Sequence, residues 1–154
     1  MNLHEYQSKA LLKKSGVNVP LGIVAFTPDE AVKVAESVIE ATGTDAIAVK
    51  AQIHAGGRVK GGGVKIARSA EEVRKYAHDI IGMRLVTHQT GPKGKLVGKV
   101  LVEQGIYQSG PSEVKEFYIS MLLDRATSRN MVVYSPQGGM DIEAVGSQTP
   151  QLIF

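Results

Sequence analysis

The stretch that most constrains this chain runs from Ile47 to Ile66, Ile47-Ala-Val-Lys50-Ala-Gln-Ile-His54-Ala-Gly-Gly-Arg58-Val-Lys60-Gly-Gly-Gly63-Val-Lys65-Ile66. An apolar run ends on a lysine. Five glycines, an arginine and a lysine then fall within the eight positions 56–63, and a second apolar run begins at Val64. The pattern predicts strand, glycine loop, strand. Glycines let a backbone turn sharply and bring its N–H groups close to a ligand. Lysine and arginine beside such amides suit a polyphosphate. A solvated hairpin whose basic residues serve only solubility fits the composition equally well. Neither Gly-x-x-x-x-Gly-Lys-[Ser/Thr] nor Gly-x-Gly-x-x-Gly occurs. Val-Lys-Ile-Ala after Gly63 favours strand over helix, so phosphate would sit under a hairpin flap and not at a helix N-terminus.

The flanking sequence supplies helices and further strands. Asn2-Leu-His-Glu5 reads as a helix start with Asn2 as cap, and Gly16 ends that helix. Thr27-Pro-Asp-Glu30 and Ser69-Ala-Glu-Glu72 are two capping boxes. Ala31, Val34, Ala35 and Val38 form the buried stripe behind the first. Val73, Tyr76, Ala77, Ile80 and Ile81 form it behind the second. Strands are expected at 21–26, 46–52, 85–88 and 99–103, with Gln108–Ser112 a loop. A hairpin of 115–124 and 131–134 follows, with Phe117, Ile119 and Met121 sharing one face. The fold class is therefore α/β (α+β), in one domain or two small lobes for 154 residues.

Composition excludes several function classes. With no cysteine there is no disulfide, thiolate metal site or cysteine nucleophile. No apolar run approaches the roughly 20 residues of a membrane span. The N-terminus lacks the apolar centre of a signal peptide, so a cytoplasmic protein is the default. A net charge of +3, no tryptophan and 5% aromatics give little basis for nucleic-acid binding. Glu103, at a strand end, and Glu116, beside Lys115, could accept hydrogen bonds from a base or ribose; a lone glutamate is more commonly a solvent-facing residue.

Asn2-Leu-His-Glu-Tyr-Gln7, Lys50-Ala-Gln52, His54-Ala-Gly-Gly-Arg58, Gly62-Gly-Val-Lys65, Leu101-Val-Glu103, Gly138-Gly and Ile142-Glu143 resemble, in order, the β subunit of succinyl-CoA synthetase (ADP-forming succinate–CoA ligase). The resemblance runs the whole chain but covers only the N-terminal part of a family subunit. It implies an ATP-grasp fold, in which two α/β lobes hold a nucleotide and a glycine hairpin covers the phosphates. It assigns 1–20 to a helix belonging to the second lobe, 21–100 to the first lobe and 101–154 to an incomplete second lobe.

The resemblance also implies site residues. Lys50 would contact phosphate and base, and Gly57, Arg58 and Val59 would form the phosphate segment. Glu103 and the backbone near Ile106 would meet the base, and Glu116 the ribose. Val59 stands where the family carries glycine, and a valine disfavours the positive φ that glycine permits. The cofactors implied are ATP/ADP and Mg2+, with an asparagine and an aspartate as metal ligands beyond Phe154. The implied partner is an α subunit carrying the phosphohistidine and the CoA site. His4, His54, His78 and His88 are then not the phosphohistidine, and His54 is structural or touches phosphate. The activity implied is succinate, CoA and ATP giving succinyl-CoA, ADP and phosphate, with the 154-residue chain inactive by itself. Alternatives are a malate–CoA ligase or ATP-citrate lyase type enzyme, or a non-catalytic nucleotide-binding module.

Overall fold

The computed structural model describes residues 2–106, 115–139 and 142–154. It divides into two compact units, Met1–Tyr107 and Gln108–Phe154.

In the first unit the elements are α1 (Glu5–Lys14), β1 (Gly22–Ala25), α2 (Pro28–Thr42), β2 (Ile47–Ala51), β3 (Val64–Ala67), α3 (Ala70–Ile80), β4 (Arg84–Leu85), β5 (Lys95–Leu96) and β6 (Val100–Gln104). Both expected capping boxes start helices. Thr27 Oγ1 accepts the Glu30 N–H at 3.1 Å and Ser69 Oγ accepts the Glu72 N–H at 3.2 Å. Each satisfies an N–H that the first turn cannot pair internally. Both glutamates reach back one residue further than a minimal box, to the N–H groups of Phe26 and Arg68.

The sheet order is β1-β6-β2-β3, every pairing antiparallel. The central strands β2 and β6 alternate between two different faces. Ile47, Val49 and Ala51, with Val100 and Val102, face α2 and α3 and form a core with Ala31, Ala35, Val38, Val73, Ala77 and Ile80. Each larger aliphatic side chain buried there stabilises by about 1.5–3 kcal/mol. Lys50, Leu101 and Glu103 lie on the opposite face, reached by α1.

The structure departs from the sequence reading in four places. Strand β6 is hydrogen-bonded between β1 and β2, so 101–104 belong to the first unit and the expected boundary after residue 100 does not fall there. Helix α1 also lies in the first unit. Its N-cap is His4, not Asn2, because Gln7 Oε1 accepts the His4 N–H at 2.9 Å and Glu5 points elsewhere. The strand expected at 85–88 shrinks to the two-residue β4, paired with β5.

In the second unit β7 (Tyr118–Asp124) and β8 (Arg129–Ser135) form the expected hairpin, followed by α4 (Ile142–Gln148) and a 3-10 turn at Pro150–Leu152. Phe154 exchanges both backbone hydrogen bonds with Tyr134, at 3.0 Å each, and stacks on its ring. Ile119 and Met121, two apart on β7, are exposed, as is Phe117 just before the strand. The loop expected at Gln108–Ser112 lies outside the described residues.

Candidate functional site

Lys50 and Glu103 sit diagonally across the β2–β6 ladder. Lys50 pairs with Leu101 and Glu103 pairs with Ala48, so both side chains rise from the same face two positions apart. Long side chains bridge such diagonals. Lys50 Nζ lies 2.6 Å from Glu103 Oε1. The other carboxylate oxygen of Glu103 is held by Lys9, from α1. Glu103 is 2% exposed, and burying a carboxylate this deep is costly unless cations pair with it. Gly22, paired with Glu103 on β1, leaves room for it: a Cβ there would stand 3.1 Å from the Glu103 Cβ.

Glu5, on the first turn of α1, joins this group to the glycine loop. Its Oε1 is 3.2 Å from Lys9 Nζ and 3.5 Å from Lys50 Nζ, and its Oε2 is 2.8 Å from Arg58 Nη1. Burial by itself would raise the Glu5 carboxyl. Lys50, Arg58 and Lys9 outweigh that and bring it down to about 2. For Lys50, burial opposes the charge, but Glu5 and Glu103 hold its ammonium above the usual range. Three cations (Lys9, Lys50, Arg58) thus face two carboxylates (Glu5, Glu103).

The glycine loop runs from the end of β2 to the start of β3. Arg58 Nη1 also donates to the Ala51 carbonyl at 2.7 Å, anchoring the loop to its own strand. The Gly63 and Gly61 N–H groups donate to the Arg58 and Gly57 carbonyls. Positive φ falls on Gly57 (71°) and Gly62 (81°), and Ser128 is the one described non-glycine residue that has it. Val59 therefore needs no left-handed backbone, and its side chain is 72% exposed. At Gly57 a Cβ would stand 2.9 Å from His88 Nδ1, so this glycine is required for both conformation and space.

His54 stacks on His4 with ring centroids 4.0 Å apart, and its carbonyl accepts from Lys95 Nζ at 2.8 Å. His4 is held below the usual histidine range by burial, then by the charges of His54, Lys99 and Arg58. A cavity of about 470 Å³ is lined by Asn2, Glu5, His54, Gly56, Arg58 and Gln89 among others. A second, of about 150 Å³, lies against Tyr6, Lys9, Pro20, Leu21 and Glu103.

Lys50, Arg58 and Glu103 thus meet in one charged network at the base of the glycine loop. Gly57 and Val59 flank Arg58. Ile106 follows two residues after β6 with a 55% exposed side chain. Glu116 belongs to the second unit, where its carbonyl accepts the Gly138 N–H at 2.8 Å. A side chain at Gly139, whose φ is 67°, would run into its carboxylate. Sequence reasoning missed Glu5 and Lys9. Their i, i+4 spacing of opposite charges was the available signal. Among the described residues no group of three or more His, Cys, Asp or Glu could hold a metal ion. The carboxylates of Glu5 and Glu103 do not fit one either, being paired with lysine and arginine. No helix among those residues is long and apolar enough to cross a membrane.

A model of the ATP-grasp domain matches residues 2–154. The succinate–CoA ligase [ADP-forming] subunit beta of Flavobacterium johnsoniae is 55% identical over 154 residues, covering 100% of this chain and 39% of that protein. Its counterpart from Chlorobium chlorochromatii is 54% identical, over 100% and 38%. The chain thus spans less than two fifths of the length of these relatives. Among solved structures, Ca. Korarchaeum cryptofilum dinucleotide forming acetyl-coenzyme A synthetase 1, in complex with coenzyme A, Ca-AMPCP and HgCl+, superposes with a TM-score of 0.62. Its identity is 25%, and the match covers 86% of this chain and 52% of that one. The chain belongs to the ATP-grasp domain family.

Proposed function

We propose that this chain is the nucleotide-binding part of the β subunit of an ADP-forming succinate–CoA ligase, taking ATP or ADP at the face of the sheet that carries Lys50 and Glu103. The observation that carries the reading is the convergence of Lys50, Arg58 and Glu103 at the base of a glycine loop, in a chain that matches an ATP-grasp model from residue 2 to 154. Lys50 and Arg58 neutralise phosphate charge, and the loop at Gly57–Val59 brings backbone amides to the phosphates. Glu103, with the backbone near Ile106, takes the base, and Glu116 takes the ribose. Phosphoryl transfer depends chiefly on positioning and charge neutralisation, which is what such a lobe supplies.

The acid, CoA and metal sites lie elsewhere in this reading. Magnesium would neutralise phosphate charge, and no group of side chains among the described residues would hold it. The partner is an α subunit carrying the phosphohistidine and the CoA site. Succinate is favoured over other acids by relatives of that name at 53–55% identity, against 25% for the acetyl-coenzyme A synthetase neighbour. Calorimetric titration of ADP into the chain and into Lys50→Ala tests the nucleotide site. Saturable binding weakened at least tenfold by the substitution is expected, and equal binding by both forms would overturn it. The chain without its partner is expected to form no succinyl-CoA from succinate, CoA and ATP.

A further inference from the structure

We propose that Glu5 is an internal stand-in for phosphate: it holds Arg58 and Lys50, and a nucleoside polyphosphate that takes these two cations expels it, so that nucleotide binding is coupled to release of the first turn of α1. The inference rests on the nucleotide reading above and adds to it a residue and a conformational consequence.

Arg58 Nη1 carries two hydrogens. The nitrogen donates to the Ala51 carbonyl, 2.7 Å away, and is ion-paired with Glu5 Oε2, 2.8 Å away. A phosphoryl oxygen reaching that nitrogen must replace one of these acceptors. The Ala51 carbonyl is fixed at the end of β2, where the Ala51 N–H donates to the Gly63 carbonyl at 2.7 Å. Glu5 is a side chain on a helix turn, and it is the acceptor that can leave. Carboxylate and phosphate offer a guanidinium the same geometry, which makes the exchange chemically even.

The helix that carries Glu5 is held loosely. Residues Glu5–Lys14 include no buried residue, and Leu11 and Leu12 are half exposed. The polar ties of α1 to the sheet face are the Glu5 and Lys9 ion pairs and hydrogen bonds to Gln52. Segments with few buried apolar contacts open at low cost. Lys9 remains on Glu103 when Glu5 leaves, so the buried carboxylate keeps a cation.

A second donor of the loop is occupied in the same way. The Gly56 N–H donates to Gln89 Oε1 at 2.6 Å. Arg58, Gly56, Glu5 and Gln89 all line the cavity of about 470 Å³. Arg58 Nη1 and the Gly56 N–H, two donors of the loop on that cavity, thus face side-chain oxygens of Glu5 and Gln89, each exchangeable for a phosphoryl oxygen. The Glu5 carboxyl, brought to about 2, is a full anion at neutral pH and a true competitor.

The test titrates ADP and inorganic tripolyphosphate into the wild type, Glu5→Gln and Lys50→Ala, with hydrogen exchange of residues 5–14 followed in each. Glu5→Gln is expected to bind tripolyphosphate and ADP about tenfold more tightly, the effect of removing one charge-assisted contact that competes. ADP is expected to speed exchange of the first-turn amides of Gln7 and Ser8 in the wild type, a readout that needs no variant to fold. Equal or weaker binding by Glu5→Gln, with exchange in α1 unmoved by ADP, overturns the proposal. If that result comes with ADP binding that Lys50→Ala loses, the nucleotide reading stands and the Glu5 role falls. Tighter tripolyphosphate binding by Glu5→Gln, with no ADP binding by any form, keeps the Glu5 role and overturns the nucleotide reading.

Discussion

Lys50 and Glu103, 53 positions apart in the chain, meet at 2.6 Å because two antiparallel strands place them on one diagonal. The pair is polar chemistry on the face of the sheet that α1 reaches, while the other face carries a continuous aliphatic core. Glu103 keeps a second cation, Lys9, so the pair is one half of a clamp around a buried carboxylate.

Lys50→Met is therefore expected to destabilise the first unit by about 1–3 kcal/mol, since Glu103 loses one of two partners at a site 2% exposed. The double substitution Lys50→Met with Glu103→Gln is expected to cost less than the sum of the singles, because the second change removes the stranded charge. Urea unfolding of the four forms gives the coupling energy. Additive costs would show that Lys50 and Glu103 do not act as a pair.

How much of this arrangement was legible beforehand follows the range of the interactions. The β2–β3 hairpin and the starts of α2 and α3 are set by residues within a few positions of one another, and glycines and capping boxes announce them. Placing β6 between β1 and β2 depends on pairing Val102 with Val49 and with Ile23, which no local pattern encodes. Reading onward along the chain put 101–104 with the strands that follow. Helix α1 was visible as a helix, but its docking was not. Glu5 reads locally as part of a cap, and only the fold reveals that Gln7 takes that role and frees Glu5 for Arg58. The concern over Val59 also dissolves in three dimensions, since the turn places its positive φ at Gly57 and Gly62.

Acid should unfasten the Glu5 cluster over a definite range. A carboxyl brought to about 2 from an ordinary 4.5 contributes stability that is complete above about 4.5 and is lost as pH falls toward 2. The contribution is at most about 3 kcal/mol, taking 1.36 kcal/mol for each pH unit. Stability measured from pH 6 down to 2.5 is expected to fall less steeply in Glu5→Gln than in the wild type. Parallel curves would mean that Glu5 titrates normally in the fold.

The His4–His54 stack gives a second, milder pH response. His4 is kept neutral by burial and by the charges of His54, Lys99 and Arg58, while Tyr6, Gln7 and Glu5 share its helix turn. Depression of a histidine means that its contribution is complete above about 6.5 and is lost as pH drops below that value. His4→Phe, which keeps a flat ring against His54, is expected to flatten the stability curve between pH 7 and 5. NMR titration of the His4 ring should place its midpoint below that of an unfolded control. A midpoint at or above the control would remove the basis for this response.

The two neighbours of Arg58 should respond in opposite ways to substitution. Gly57 has φ 71° and no room for a Cβ beside the His88 ring. Gly57→Ala must strain the backbone by about 1–2 kcal/mol or shift the ring, and either change moves the segment that positions Arg58. Val59 has an ordinary backbone and an exposed side chain. Val59→Gly, which restores the residue found in the resembling family, therefore has no strain to relieve, and its cost is confined to the added freedom of the unfolded chain, about 0.4–1 kcal/mol. Melting curves and ADP titration of the two variants separate the cases. Gly57→Ala is expected to weaken ADP binding severalfold and Val59→Gly to leave it within about twofold. A larger loss of affinity at Val59 than at Gly57 would mean that the valine side chain, and not the glycine turn, shapes the loop.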